Sequence, residues 1–287
     1  MPELRLSDGG SMAYQDQGTG RPVIFLHGWA MRGGLFAEQA KRLAHAYRCL
    51  VPDLRGHGES SPLPSGQGVA ALADDIAALI AHLALEGVVL CGWSMGAMVA
   101  WSLVERHGGA RLAGLAIEDM TPRIPGAPDW AGGLKGGHSI AAARHAATAM
   151  RRHWRRSCPR LVSRIFATGR SPMPSHQAAL AAASVADPES MAALWESLVA
   201  QDFRAFLPSL ALPTLILFGS QSQLYGPQAS AWLAENMPRA KAVAFPDAGH
   251  APHLEEPDRF SHALAAFLAE IDETAPLART EQERSKT

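Results

Sequence analysis

The sequence predicts an α/β protein: a mostly parallel sheet covered by helices on both faces, with a helical segment inserted in the middle of the chain. Three observations predict it. Short continuous apolar runs, of the kind that buried parallel strands show, alternate with stretches whose apolar residues recur at helical spacing. Within residues 88–100 the change from run to helix takes only a few residues, across a turn bounded by Gly92 and Gly96. The alternation then lapses between residues 121 and 207 and resumes afterwards.

At 287 residues the chain can bury a large core, as one domain or one domain with an insertion. Apolar residues make up 47% and charged residues 18%, which is ordinary globular composition, and a net charge of −1 gives no global field favouring nucleic acid or membrane. Cys49, Cys91 and Cys158 are odd in number and far apart, which argues against a disulfide framework and for a reducing compartment. The N-terminus has no basic-then-apolar signal pattern, and no apolar run is long enough to span a bilayer. A cytoplasmic protein is expected.

Residues 4–17 alternate weakly and meet Gly18-Thr19-Gly20, which reads as a hairpin of edge strands closing on that turn. Residues 22–26 form an apolar run that ends in His27-Gly28-Trp29, an interior strand feeding a loop. Helical spacing holds from Phe36 to Tyr47, strand returns at 48–51, and Pro52-Asp53-Leu54-Arg55-Gly56-His57-Gly58 follows as a loop before a helix at about 69–85. Next come the strand before Gly92, an alanine-rich helix and a strand at 112–117. After the lapse, strands are expected at 213–219 and 241–245 and a last helix at about 258–271. The organisation is therefore a core of residues 1–120 and 208–271, a helical cap at 121–207, and a polar, disordered tail at 272–287. In such sheets ligands sit beyond the carboxyl ends of the strands, so His27, Asp53, Ser94 and Asp119, each just past a strand end, can meet at one rim.

Gly92-Trp93-Ser94-Met95-Gly96 has the pattern of a nucleophile elbow. Its glycines let strand and helix pass closely, so Ser94 can occupy a strained turn with its hydroxyl exposed. The helix that follows points free N–H groups, including that of Met95, toward charge developing beside Ser94. A serine nucleophile also needs a base, an acid that orients the base, and a second oxyanion donor. His250 follows the last strand in Asp247-Ala248-Gly249-His250 and can reach back over the rim, whereas His253 is more simply structural. No cofactor or metal is called for.

With these residues in place, the chain resembles the alpha/beta-hydrolase family over residues 3–271, through Phe25-Leu26-His27-Gly28-Trp29, Pro52-Asp53-Leu54-Arg55-Gly56-His57-Gly58-Glu59-Ser60, Gly92-Trp93-Ser94-Met95-Gly96 and Gly249-His250. The resemblance implies an oxyanion hole from the backbone N–H groups of Trp29 and Met95. It implies loop-fixing roles for Asp53 and His57, with His57 as a substrate contact kept as the alternative. The family's usual acid lies in a Gly-x-x-Asp pattern, which here reads Gly219-Ser220-Gln221-Ser222, and no Asp or Glu occurs between Asp202 and Glu235. Some relatives carry the acid one strand earlier, where this chain has Glu118-Asp119-Met120-Thr121-Pro122. Asp119 is therefore the expected acid and Glu118 the alternative. Haloalkane dehalogenases and epoxide hydrolases of this fold need a carboxylate at the elbow, which Ser94 excludes.

Between Asp129 and Asp187 there is no acidic residue, yet that stretch holds nine positive ones, Arg151, Arg152, Arg155 and Arg156 among them. Such a cluster is either a solvated helix face or a docking surface for an acidic partner. Nucleic acid is poorly supported, since no aromatic-interleaved module accompanies the arginines. The elbow, His27-Gly28-Trp29 and the arginine-rich cap together resemble the pimeloyl-acyl-carrier-protein methyl ester esterases of biotin synthesis, whose carrier is acidic. That resemblance implies a carboxylic ester hydrolase with a Ser-His-Asp triad, acting on a small-molecule or carrier-bound ester. An acyl thioesterase, or a perhydrolase or C–C hydrolase on the same triad, is a second reading; a ligand-binding signalling module without turnover is a third.

Overall fold

The computed structural model describes residues 1–137 and 139–274. One eight-stranded sheet runs through it, from β1 (Glu3–Arg5), β2 (Ser11–Gln17), β3 (Pro22–Leu26), β4 (Arg48–Pro52) and β5 (Val88–Trp93) to β6 (Leu112–Glu118), β7 (Thr214–Gly219) and β8 (Ala240–Phe245). The spatial order is β1-β2-β4-β3-β5-β6-β7-β8. β1 and β2 pair antiparallel, β2 pairs antiparallel with β4, and every other pairing is parallel. β3 and β5 are buried along their whole length, which is why their sequences read as unbroken apolar runs rather than alternations.

The first hairpin turns at Leu6–Gly10 and not at Gly18-Thr19-Gly20: Leu6 N–H donates to the Gly10 carbonyl at 2.9 Å, and Gly9 N–H to the Leu6 carbonyl at 3.0 Å. Gly18 and Gly20, both at positive φ, carry the chain from β2 to a β3 with which β2 does not pair, passing close over the backbone of residues 44–47.

Helices form two layers. α1 (Ala37–Leu43) packs on the last helix, Pro257–Thr274, while α2 (Val69–His82) packs on α3 (Met95–His107). α2 buries Val69, Leu72, Ala73, Ile76, Leu79 and Ile80, a stripe at helical spacing, and α3 is buried from Met95 to Leu103, so that its small residues let it lie directly on the sheet. Between β6 and β7 the chain forms α4 (Ile140–Ser163, interrupted at His153), α5 (Ser175–Val185) and α6 (Pro188–Ala200), which pack on one another through α4. α7 (Pro227–Asn236) joins β7 to β8, and α8 (Pro252–Glu255) precedes α9 (Pro257–Thr274). α9 thus continues three residues past Ile271, into the stretch expected to be a tail; the rest of that stretch lies outside the described residues. The three cysteines are buried free thiols. No helix among the described residues is long and apolar enough to cross a membrane.

β4 and β5 lie on opposite sides of β3. The connections therefore reverse direction between β3 and β5, and a crevice opens at their carboxyl ends. Trp29 and Ser94 follow these two strands.

Candidate active site

Ser94 links β5 to α3 with φ 53° and ψ −115°, a left-handed backbone that costs a residue with a Cβ roughly 1–3 kcal/mol. Its surroundings hold it there. A Cβ at Gly92 would lie 2.5 Å from the Gly96 carbonyl, and one at Gly96 would collide with the Leu26 carbonyl, so both glycines are needed for strand and helix to cross this closely. Ser94 N–H donates to the Glu118 carbonyl at 2.9 Å, tying the turn to the end of β6.

Asp119 also sits at positive φ, 41°, with its N–H on the Leu217 carbonyl at 2.8 Å. Its carboxylate is buried and collects three donors: Oδ2 accepts from His250 Nδ1 and from the Ser222 hydroxyl, each at 2.7 Å, and Oδ1 accepts from Gly219 N–H at 3.3 Å. Ser222, in the position where the resemblance would place an aspartate, therefore donates to the Asp119 carboxylate just past the neighbouring strand. With Nδ1 carrying the proton, His250 is left with Nε2 as its acceptor. Trp93 Nε1 holds the His250 carbonyl at 2.7 Å, and the Tyr225 ring lies 5.7 Å from the imidazole.

Glu118, one residue earlier, goes the other way. It is fully buried, and its Oε1 accepts from the backbone N–H of His253 at 2.9 Å and from His253 Nδ1 at 2.8 Å. His253 is stacked on Phe36 with ring centroids 4.3 Å apart and meets the edge of Trp93. Two carboxylate–imidazole pairs thus diverge from adjacent residues, Glu118 at the end of β6 and Asp119 in the left-handed turn just past it.

Trp29, Ser94, Met95 and His250 line one cavity of about 200 Å³, the liquid volume of roughly seven waters. Met95 opens α3, so its N–H is one of the helix's free donors. The remaining walls are mostly apolar and come largely from between β6 and β7, with Met150, Leu161 and Trp195 among them; among the described residues Arg164 is the one basic side chain there other than His250.

The loop carrying Trp29 is fastened by a reciprocal histidine pair. His57 Nε2 accepts from Ala30 N–H at 3.1 Å, while His27 Nε2 accepts from Leu54 N–H at 3.0 Å; each ring's Nδ1 donates to a carbonyl, of Arg55 and Gly28 respectively. Burial, the larger cause for both, lowers the His27 pKa to about 4 and that of His57 to about 3, His57 being lowered further by its neighbour His27. His57 is thereby turned to the loop and away from the substrate-contact role kept open for it. Asp53 serves the same segment, accepting from Gly33 N–H at 2.8 Å and Glu59 N–H at 3.0 Å.

Of the cap arginines, Arg152, Arg155 and Arg156 are exposed, and no carboxylate among the described residues pairs with them. Arg151 differs: it bridges Glu189 at 3.0 Å and Glu196 at 3.4 Å, both on α6, so it belongs to the cap's own packing. Sequence reasoning missed Tyr225 and the placement of Arg164 in the cavity wall. Neither carries a local signal: Arg164 caps α4 and Tyr225 lies in the loop between β7 and α7, and both meet the cavity only through contacts distant in sequence.

Comparison with known proteins adds the following. The family model described as alpha/beta hydrolase fold matches residues 21–257. A pimeloyl-[acyl-carrier protein] methyl ester esterase of Chromobacterium violaceum is 31% identical over 257 residues, 88% of this chain and 95% of that protein. One from Nitrosospira multiformis is 27% identical over 90% of this chain and 98% of its own length. Among solved structures, a thermophilic esterase from Thermogutta terrifontis, malate bound, superposes with a TM-score of 0.83 at 29% identity, covering 94% of this chain and 98% of the other.

Proposed function

This chain belongs to the alpha/beta-hydrolase fold family, and from that premise we propose that it is a carboxylic ester hydrolase working through an acyl-enzyme on Ser94. The observation that carries the reading is the buried Asp119–His250 contact at 2.7 Å beside the strained Ser94 turn, with Ser94 and His250 on one cavity. His250 Nε2 takes the Ser94 proton as Oγ attacks the ester carbonyl, and Asp119 stabilises the imidazolium that forms. The N–H groups of Trp29 and Met95 bind the oxyanion. His250 then returns the proton to the leaving alcohol, and a water repeats the sequence to release the acid.

The substrate class follows from the relatives and the cap together. Two relatives covered over most of their length are named as esterases of a pimeloyl-carrier-protein methyl ester. The exposed Arg152, Arg155 and Arg156 offer an acidic carrier a docking face on α4, and the largely apolar cavity suits an acyl chain. We assign the substrate as a methyl ester of a carrier-bound acyl chain.

Ser94→Ala and His250→Ala test the chemistry. Each is expected to lower kcat on p-nitrophenyl butyrate by about 10³-fold or more with the fold intact, because serine and histidine act as one unit. Wild-type protein should show a burst of p-nitrophenol. Near-wild-type turnover in either variant removes the triad, and an absence of turnover in wild type on esters and thioesters alike would favour a binding module.

A further inference from the structure

The loop that carries His250 is fastened to more than the sheet. His250 N–H donates to the Ile165 carbonyl at 2.7 Å. Five residues on, the half-buried Glu255 spans two donors: Oε1 accepts from Gly249 N–H at 2.7 Å and Oε2 from Ala167 N–H at 2.9 Å. Gly249 is glycine because the two segments touch here; a Cβ would collide with the Ala167 nitrogen and lie 2.5 Å from the Phe166 carbonyl carbon. Residues 165–167 are buried and directly follow α4, the helix that bears the exposed arginines, and Ile165 lines the cavity with His250.

We propose that Glu255 is a positioning residue for His250: its carboxylate clamps the histidine loop to residues 165–167, so that the seating of the arginine-bearing helix sets where the imidazole stands over Ser94. The clamp rests on the serine-esterase reading above and deepens it, since it links the face a carrier would dock on to the catalytic base. Asp119 fixes the ring at Nδ1, and the clamp fixes the backbone from which the ring hangs. A displacement of about 1 Å at a reacting group is enough to cost about 10²-fold in rate.

Glu255→Gln and Glu255→Asp test it. A glutamine has a single acceptor oxygen, so its amide group meets one of the two N–H donors donor-to-donor and that bond is lost. An aspartate keeps the charge but is one methylene too short to reach both. Either variant is expected to lower kcat on p-nitrophenyl butyrate by about 10-fold or more with KM within about twofold, a split that loss of cap stability alone would not produce. Hydrogen exchange at the Ala167 and Gly249 amides should quicken about 10-fold or more while the amides of β5 and β6 keep their protection. If Glu255→Gln does not fold, Glu255→Asp decides. Wild-type kcat in a folded variant, or unchanged exchange at those two amides, overturns the clamp. Ser94→Ala measured alongside separates the two readings: turnover surviving there sinks the serine esterase, while the exchange rates still judge the clamp.

Discussion

Replacing Asp119 by asparagine probes the point where this chain departs from its family's usual arrangement. The carboxylate accepts from His250 Nδ1, Ser222 and Gly219, so all three donors face an acceptor. An asparagine must turn its NH2 toward one of these donors. If it faces His250, the ring has to present a bare Nδ1 and carry its proton on Nε2, where it cannot accept from Ser94. If it faces Ser222 and Gly219, the imidazolium of the transition state still lacks its counter-ion. Either outcome leaves binding and the oxyanion donors in place, so the expected loss in kcat is about 10²- to 10⁴-fold at neutral pH, or about 2.7–5.4 kcal/mol of transition-state stabilisation. Steady-state hydrolysis of p-nitrophenyl butyrate, with circular dichroism to show the fold, measures it. Glu118→Gln is the contrast: Glu118 faces His253, so its substitution should lower stability and cost kcat far less. Ser222→Asp should partly restore Asp119→Asn, because the Ser222 hydroxyl lies 2.7 Å from the lost oxygen. An active Asp119→Asn beside a dead Glu118→Gln would move the acid by one residue; activity in both would mean that the histidine is oriented by another group.

Two further outcomes are expected. Reversing Arg152, Arg155 and Arg156 to glutamate should raise KM for a carrier-bound methyl ester, whose wild-type KM should rise with salt, and leave p-nitrophenyl butyrate untouched; equal loss on both would place these arginines in the fold. Stability should fall with acid through the His27–His57 pair, whose folded pKa values lie below the ordinary 6.5, at about 4 and about 3. Neutral rings are favoured in the fold, so the stabilisation is complete above pH 6.5 and is lost as pH drops toward those values, by about 2 kcal/mol per histidine at pH 5. Urea unfolding of wild type and of His57→Gln, which keeps an acceptor for Ala30 N–H but does not titrate, should show about half that pH 7 to 5 loss in the variant. Parallel losses would assign the acid sensitivity to other groups.

Much of this architecture is legible in the chain because the responsible residues are close in sequence. The elbow needs only a buried strand, two glycines and a helix start within residues 88–100, and the parallel strands announce themselves by being apolar on both faces. What was misread or missed depends on distant partners. The three-residue β1 is too short to show an alternation, so the stronger glycine signal at 18–20 drew the turn away from Leu6–Gly10. Arg151 looks like its neighbours until α6, 38 to 45 residues on, supplies two carboxylates. The apolar cavity wall repeats at helical spacing as any packed helix would. Glu255 has nothing local to mark it, since one of its two donors lies 88 residues away.

The place of the acid shows how little the chemistry demands of the chain. β6 and β7 are parallel neighbours, with Glu118 opposite Leu217, and the loops leaving them meet at Asp119 Oδ2, the oxygen that accepts from both His250 Nδ1 and Ser222. What the site requires is one buried anion there with its remaining lone pairs occupied; either strand can deliver it. Both cannot, because two carboxylates at hydrogen-bond distance in a buried site would force one to take up a proton and so cease to serve as the counter-ion. On the proposed reading Asp119 supplies the charge, and the residue at 222 is then useful as a donor and harmful as an acid. Serine meets that requirement: its hydroxyl donates to Asp119 and accepts from the N–H groups of Leu224 at 3.3 Å and Tyr225 at 3.2 Å, so that it holds the Asp119 carboxylate and the cavity-lining Tyr225 together.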